Sequence, residues 1–457
     1  MRSLALVLAI VAGLAGVALL DRGREPEGTD PALALAPAPA EPAAPAIAGG
    51  DGLSIDSSSL LSCLGSAVQE TGDVPPSPPL SERGVEEISQ RIERLRELRF
   101  DGQVDAEFLD DEEMDRRISA LLDRDYPAAL ARRQAAVLEL LGAIPPGSDL
   151  LELTRTALSA QVVGLFVPET EELLVSSSGK AGALEQITLA HELEHALAHD
   201  ALSFPLPERT RAGSSDSDLA ALALIEGDAT LTMELYALRY VELEEQLSLL
   251  DDPSAAAGDR QLAELPHFLR RQLLFPYEAG LEFVCDRYGD GGWDAVDDAY
   301  ADPPSSTAEL LDGSGRAFDP ARIEPRGSLP PPWRRTLTDQ IGAAELSWLF
   351  AAPGDDPAAA LPDPEGAAAD WRGGAFSLWQ DGSSSALEIA LASRHGGDLC
   401  GATVAFYGSA FPEAELRRRG AEERIGAPGQ SASIVCDDVG VRFGIGPDEA
   451  TATALTD

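Results

Sequence analysis

The stretch from Leu184 to Asp200, LEQITLAHELEHALAHD, sets two histidines four residues apart inside an apolar run of helical period. On a helix, residues four apart share one face, so His191 and His195 present two imidazoles to one point with Glu192 beside them. This HExxH spacing is half of a zinc site. A catalytic zinc takes three protein ligands and keeps a fourth position open, so a third donor has to come from elsewhere in the chain.

A second apolar segment, ALALIEGDATLTMELYAL from Ala221 to Leu238, offers that donor. Ser215, Asp216, Ser217 and Asp218 precede it and suit a helix N-terminus. Glu226 falls among Leu222, Ile225 and Ala229, on a face that should be buried, where a carboxylate needs a partner. A metal is such a partner. Gly227 and Ala229 are small and are expected to let this helix approach the first. Asp228 is a weaker candidate, as a hydrogen-bond acceptor for a ligand imidazole, because two residues along a helix points to another face. With one Zn2+ held by His191, His195 and Glu226, Glu192 stays free to act as general base. A donor for a tetrahedral oxyanion is then expected from among Tyr236, Tyr240, His267 and Tyr277. His199 reads as a supporting or surface histidine near the helix end.

HELEH followed by IEGDA resembles the gluzincin branch of zinc metallopeptidases, in which two histidines and a later glutamate hold the metal. The layout from about Leu95 to Phe411 is also similar to a group of exported bacterial and archaeal proteins with a hairpin, an AHELxHAL helix and an ALxEGDA helix. The resemblance implies a zincin-like catalytic body and peptide-bond hydrolysis. The chain departs from the pattern twice. Glu194 stands where the motif prefers an uncharged residue, and Thr230 stands where many gluzincins carry an aspartate four residues after the ligand glutamate.

Export is legible at the N-terminus. Arg2 precedes an apolar run from Ser3 to Leu20, followed by Asp21, Arg22, Gly23 and Arg24, the layout of a signal peptide. The run also reaches the roughly 18 residues that span a bilayer, so cleavage after Ala18 and retention as an anchor both stay open. Outside the cytoplasm, Cys63, Cys285, Cys400 and Cys436 are free to form disulfides. Their spacing contains no CxxC; Cys400 with Cys436 and Cys63 with Cys285 is the favoured pairing, with buried free thiols as the alternative. A net charge of −44 argues against nucleic acid or anionic lipid as partners.

Residues 25–80 are rich in Ala, Pro, Gly and Ser and read as a tether. Helices are expected at Val85–Leu98, Asp111–Leu122, Pro127–Leu141 and near Asp149–Ala160, their charged faces solvated. Gln161–Val175 reads as a hairpin around Pro168–Thr170, whose edge could take an extended peptide. Further helices are expected at Phe275–Cys285, opening with Pro276, at Trp293–Tyr300 and from Ser305. After a Pro- and Asp-rich linker, strands at Phe376–Gln380, Ala386–Ser393, Ser431–Cys436 and Val441–Ile445 and a helix near Leu399–Phe406 make a small unit, with His395 in a turn.

The organisation is thus a signal peptide or anchor (1–24), a tether (25–80), a mainly α zincin-like body with a small β-hairpin (81–350), a linker (351–366) and a small C-terminal α+β unit (367–450). The function expected is that of an exported zinc metallopeptidase acting on a peptide or protein. The alternative is a non-catalytic cell-envelope binding protein that retains a zincin-like zinc site.

Overall fold

The computed structural model describes residues 63, 75, 77–159, 164–176, 182–202, 215–249, 260–312, 318–382, 384–394, 398–419, 422–427 and 429–457. The signal or anchor reading, the tether reading over residues 25–62 and His395 lie outside the described residues.

Helix α1 (Glu82–Arg96) starts at Ser81, whose Oγ accepts from the Gly84 amide at 3.3 Å, and buries the expected stripe of Val85, Ile88 and Ile92. Its charged face is not wholly solvated as expected, because Arg91 and Arg96 are buried too. Arg96 continues the Ile88, Ile92 row by one more turn, so the helical period carries it inward. Helices α2 (Asp111–Asp125), α3 (Ala128–Leu140) and α4 (Leu150–Ser159) follow. Asp110 caps α2 by accepting from the Glu113 amide at 2.9 Å, and Gly142, at φ 69°, turns the chain just past α3.

Strands β1 (Ala106–Leu109), β2 (Gly164–Val167) and β3 (Glu172–Ser176) form a sheet in the order β1-β3-β2. The antiparallel β2 and β3 are the expected hairpin. Strand β1 adds to it in parallel, Ala106 opposite Leu173, which leaves β2 as an edge strand lying on the next helix.

Three long helices form the centre of the body: α5 (Ala183–Leu202), α6 (Ser215–Tyr240) and, after the short α7 (Leu243–Leu249), α8 (His267–Gly291). Every residue of α6 from Leu219 to Ala237 is buried, the mark of a helix enclosed on all sides. Pro276 does not open a helix as expected; it lies inside α8 between the fully buried Phe275 and Tyr277. Packing on both flanks holds the helix through the missing amide.

Helices α6 and α8 cross backbone to backbone at a pair of glycines. A Cβ on Gly227 would lie 2.2 Å from the Gly280 carbonyl carbon and oxygen, and one on Gly280 would lie 2.0 Å from the Ala223 oxygen. The small residue at 227 therefore serves the approach of α8, not that of α5 as expected from the sequence.

Helices α9 (Trp293–Ala301) and α10 (Thr307–Leu311) complete this part. Strand β4 (Arg334–Gln340) and helix α11 (Ala343–Ala351) come next. The stretch read as a linker forms two 3-10 turns and leads into α12 (Pro364–Ala369).

Strands β5 (Trp371–Asp381), β6 (Ser384–Ser393), β7 (Glu415–Arg419), β8 (Glu422–Ala427), β9 (Gln430–Cys436) and β10 (Gly440–Gly446) join β4 in a seven-stranded sheet. Its order is β4-β5-β6-β10-β9-β8-β7, antiparallel throughout. Helices α13 (Asp398–Ala410) and α14 (Glu449–Ala454) accompany it. One apolar core runs from Met114 and Ile118 through Leu222 and Tyr277 to Trp348, Ile389 and Phe443, joining sheet and helices. Disulfides link Cys63 to Cys285 and Cys400 to Cys436, the favoured pairing. No helix among the described residues is long and apolar enough to cross a membrane.

Candidate metal centre

Helix α5 is buried without a break from Gln186 to Ala198, so both histidines and the two glutamates between them are inside the protein. His191 and His195 meet with ring centroids 4.6 Å apart, edge to face. From α6, Glu226 points one carboxylate oxygen at both: Oε2 is 3.2 Å from His191 Nε2 and 3.4 Å from His195 Nε2. His191 and Glu226 are fully buried and His195 is 4% exposed. These three residues form a buried group whose donor atoms lie within 4.8 Å of one another and can hold a metal ion.

The electrostatics agree with that capacity. Burial and the neighbouring His195 push His191 down to about 4, so it is neutral and a lone pair is available. Burial alone would raise Glu226, but the two histidines hold it at about 2 and therefore ionised. His195 is raised: burial opposes this, but Glu226, Glu192 and Asp228 together outweigh it. Glu226 Oε1 is also buried without a hydrogen-bond partner, a polar atom that a cation would satisfy. Two imidazoles and one carboxylate are a donor set suited to zinc.

Glu192 lies beside this group, 1% exposed, and one of its oxygens accepts from the Phe166 amide of edge strand β2 at 2.8 Å. Its other oxygen has no partner. Burial raises this carboxyl to about 8, with His195 and the Phe166 amide opposing. Gly164 leaves the room: a Cβ there would come within 3.2 Å of Glu192 Cγ.

Of the four candidate oxyanion donors, Tyr277 alone is brought to the group. Its ring is 6.2 Å from that of His191, and its buried phenol interacts with Glu226. Burial, with the charges of Glu226 and Glu192, pushes the phenol well above its ordinary range, so it remains a donor. Tyr236 instead accepts from Arg91 at 3.2 Å, Tyr240 stacks under the Arg91 guanidinium at 5.0 Å, and His267 contacts Asp355 and Arg270. His199 is partly exposed near the end of α5, its ring 5.6 Å from Phe166.

Behind the histidines lies a polar cluster that the sequence did not announce. Arg96 donates to both oxygens of Asp228, from Nε at 2.9 and 3.1 Å and from Nη2 at 2.9 Å, and to Asp297 at 2.5 Å. Tyr300 donates to Asp228 at 3.0 Å, and Trp293 lies under the guanidinium at 4.4 Å. Asp228 is thereby engaged by Arg96 and Tyr300. The carboxylate facing His195 Nδ1 is that of Glu194, at 3.8 Å, and its other oxygen is 3.9 Å from Arg96 Nε. The signal for Arg96 was available, since it falls in line with Ile88 and Ile92.

Comparison with family models, with curated proteins and with solved structures gives no match.

Proposed function

We propose that the chain is an exported zinc-dependent metallopeptidase of the gluzincin type, with a zincin-like body. The observation that carries this reading is the convergence of His191, His195 and Glu226 on one buried point with the unliganded Glu192 beside it. Zinc, when bound, supplies the Lewis acidity that acidifies water and polarises a carbonyl. His191, His195 and Glu226 would hold it.

Glu192 takes the proton of the attacking water and delivers it to the leaving amine. The Phe166 amide keeps one Glu192 oxygen turned to the strand, so the other, without a partner, is left for the water. Tyr277, a neutral phenol beside Glu226, is the donor for the developing oxyanion. Strand β2 lies at the sheet edge beside Glu192; its residues are buried and the Phe166 amide is taken up by Glu192. Two disulfides accord with an oxidising compartment, and the net charge of −44 disfavours nucleic acid.

One observation favours a second reading. His191, Glu192 and Glu226 are all at most 1% exposed, and closed centres are typical of structural metal ions. The alternative is a non-catalytic cell-envelope binding protein. Glu192→Gln separates the two: the peptidase keeps its metal and loses hydrolysis of a peptide library by about 100-fold or more, whereas the binding protein has no hydrolysis to lose.

A further inference from the structure

Glu194 is the residue the proposed function leaves unused. It occupies the second variable position of HELEH, is fully buried on α5, and lies between His195 on one side and Arg96 on the other. A carboxylate in the middle of a buried helix face is costly unless something uses it. Its surroundings are built up from three other segments of chain: Arg96 from the end of α1, Asp228 from α6, Asp297 and Tyr300 from α9. His195 Nδ1 is buried and has no hydrogen-bond partner, and the Glu194 oxygen 3.8 Å away faces it. The opposite nitrogen of the same ring faces Glu226.

We propose that Glu194 is the positioning residue of the metal centre: its carboxylate takes the His195 Nδ1 proton in a hydrogen bond and so commits Nε2, with its lone pair, to the ion. Arg96 Nε lies 3.9 Å behind Glu194, Asp228 and Asp297 hold Arg96, and Tyr300 holds Asp228. The inference rests on the metal reading above. An imidazole whose remote N–H is held by a carboxylate is locked in tautomer and orientation and is a stronger ligand. Thr230, one turn after Glu226, is buried with its hydroxyl unpartnered and supplies no carboxylate from α6. In this chain the support comes from within the histidine motif itself. At 3.8 Å the two atoms stand beyond hydrogen-bond distance, and the bond requires them to approach by roughly 1 Å.

The test compares Glu194→Gln, which keeps size and an acceptor oxygen, with Glu194→Leu, which keeps size alone. Zinc affinity is measured by competition with a chromophoric chelator, the cobalt(II) visible spectrum reports ligand geometry, and melting of the metal-free protein reports the fold. The expected result is that Glu194→Leu lowers zinc affinity about 10- to 100-fold and alters the cobalt spectrum, while Glu194→Gln recovers most of the affinity. Equal affinities in wild type and Glu194→Leu overturn the inference, as do equal losses in the two variants.

Should Glu194→Leu fail to fold, ring-nitrogen NMR of the zinc-loaded wild type decides instead. A His195 ligated through Nε2 with a retained, hydrogen-bonded Nδ1–H supports the inference, and ligation through Nδ1 overturns it. A wild-type protein that takes up neither zinc nor cobalt overturns the metal reading and this inference together. Uptake by wild type with an indifferent Glu194→Leu overturns this inference alone.

Discussion

Gly227→Ala is expected to be among the most damaging single-methyl changes in the protein. The added Cβ would sit 2.2 Å from the Gly280 carbonyl carbon and oxygen and 2.8 Å from Gly280 Cα, all backbone atoms that no rotamer change can move. Ordinary contact begins near 3.4 Å, so α6 and α8 must part by about 1.2 Å along the whole crossing. Overpacking of well-filled cores costs about 1–3 kcal/mol when side chains can yield; here the yielding element is a 25-residue helix, so a loss of roughly 3 kcal/mol or more is expected. The displacement acts on the candidate metal centre as well, because Glu226 adjoins Gly227, and Tyr277, whose ring is 6.2 Å from that of His191, is one turn from Gly280. Gly289→Ala in the same helix α8 is the matched control. Nothing lies within 4 Å of its Cβ, and removing a helical glycine should be neutral or stabilise by up to about 1 kcal/mol. Urea unfolding of the metal-free proteins measures both. The reasoning fails if the two variants shift stability in the same direction by similar amounts.

His195→Ala and Glu226→Ala are each expected to abolish stoichiometric zinc after dialysis against metal-free buffer, read by elemental analysis. In the proposed peptidase, Tyr277→Phe should lower kcat by about 100-fold with little change in KM, because it removes a donor felt mainly in the transition state. Glu234, 7% exposed on α6 and away from the centre, is raised by burial to about 7. The folded protein therefore holds this proton more tightly than the unfolded chain. Its stabilising share is fully present below about pH 4.5 and is lost as pH rises through about 7. Denaturant unfolding of Glu234→Gln should match wild type near pH 4.5 and exceed it at pH 8 by roughly 3 kcal/mol. Loss of the Cys400–Cys436 bridge, which closes a 36-residue separation, should cost at most about 4 kcal/mol, seen as a lower urea midpoint for the double serine variant.

Most of the centre was legible because its chemistry is carried by short-range spacing. His191 and His195 share a face by helical period alone, and Glu226 stands out as an acid in an apolar helix. What stayed hidden depends on contacts between distant segments. Arg96 could be placed on the buried row of α1, but its partners Asp228 and Tyr300 are assigned only by how α6 and α9 pack. Tyr277 was one of four equivalent aromatic or histidine donors until the glycine crossing brought α8 against α6.

The C-terminal sheet was half legible for a related reason. Strands β6 and β10 bury apolar residues and announce themselves. Strands β4, with RRTLTDQ, and β7, with ELRRR, are the two edges and carry mostly polar residues, so their pairing comes from their neighbours and not from an apolar pattern. Pro276 misled because proline reads as a helix start, whereas burial on both sides carries α8 through it.

The bridge between Cys63 and Cys285 ties a residue ahead of α1 to the helix that bears Tyr277. Its covalent topology has a practical result at the bench. A protease that cuts the backbone anywhere between these two cysteines releases no fragment under oxidising conditions, since both pieces remain joined through sulfur. Clipped and intact molecules then run together on a non-reducing gel and separate only after a thiol reductant is added. Cuts outside both disulfide loops, before residue 63 among them, shed their piece at once, so paired reduced and oxidised lanes tell a cut inside a bridged loop from one outside.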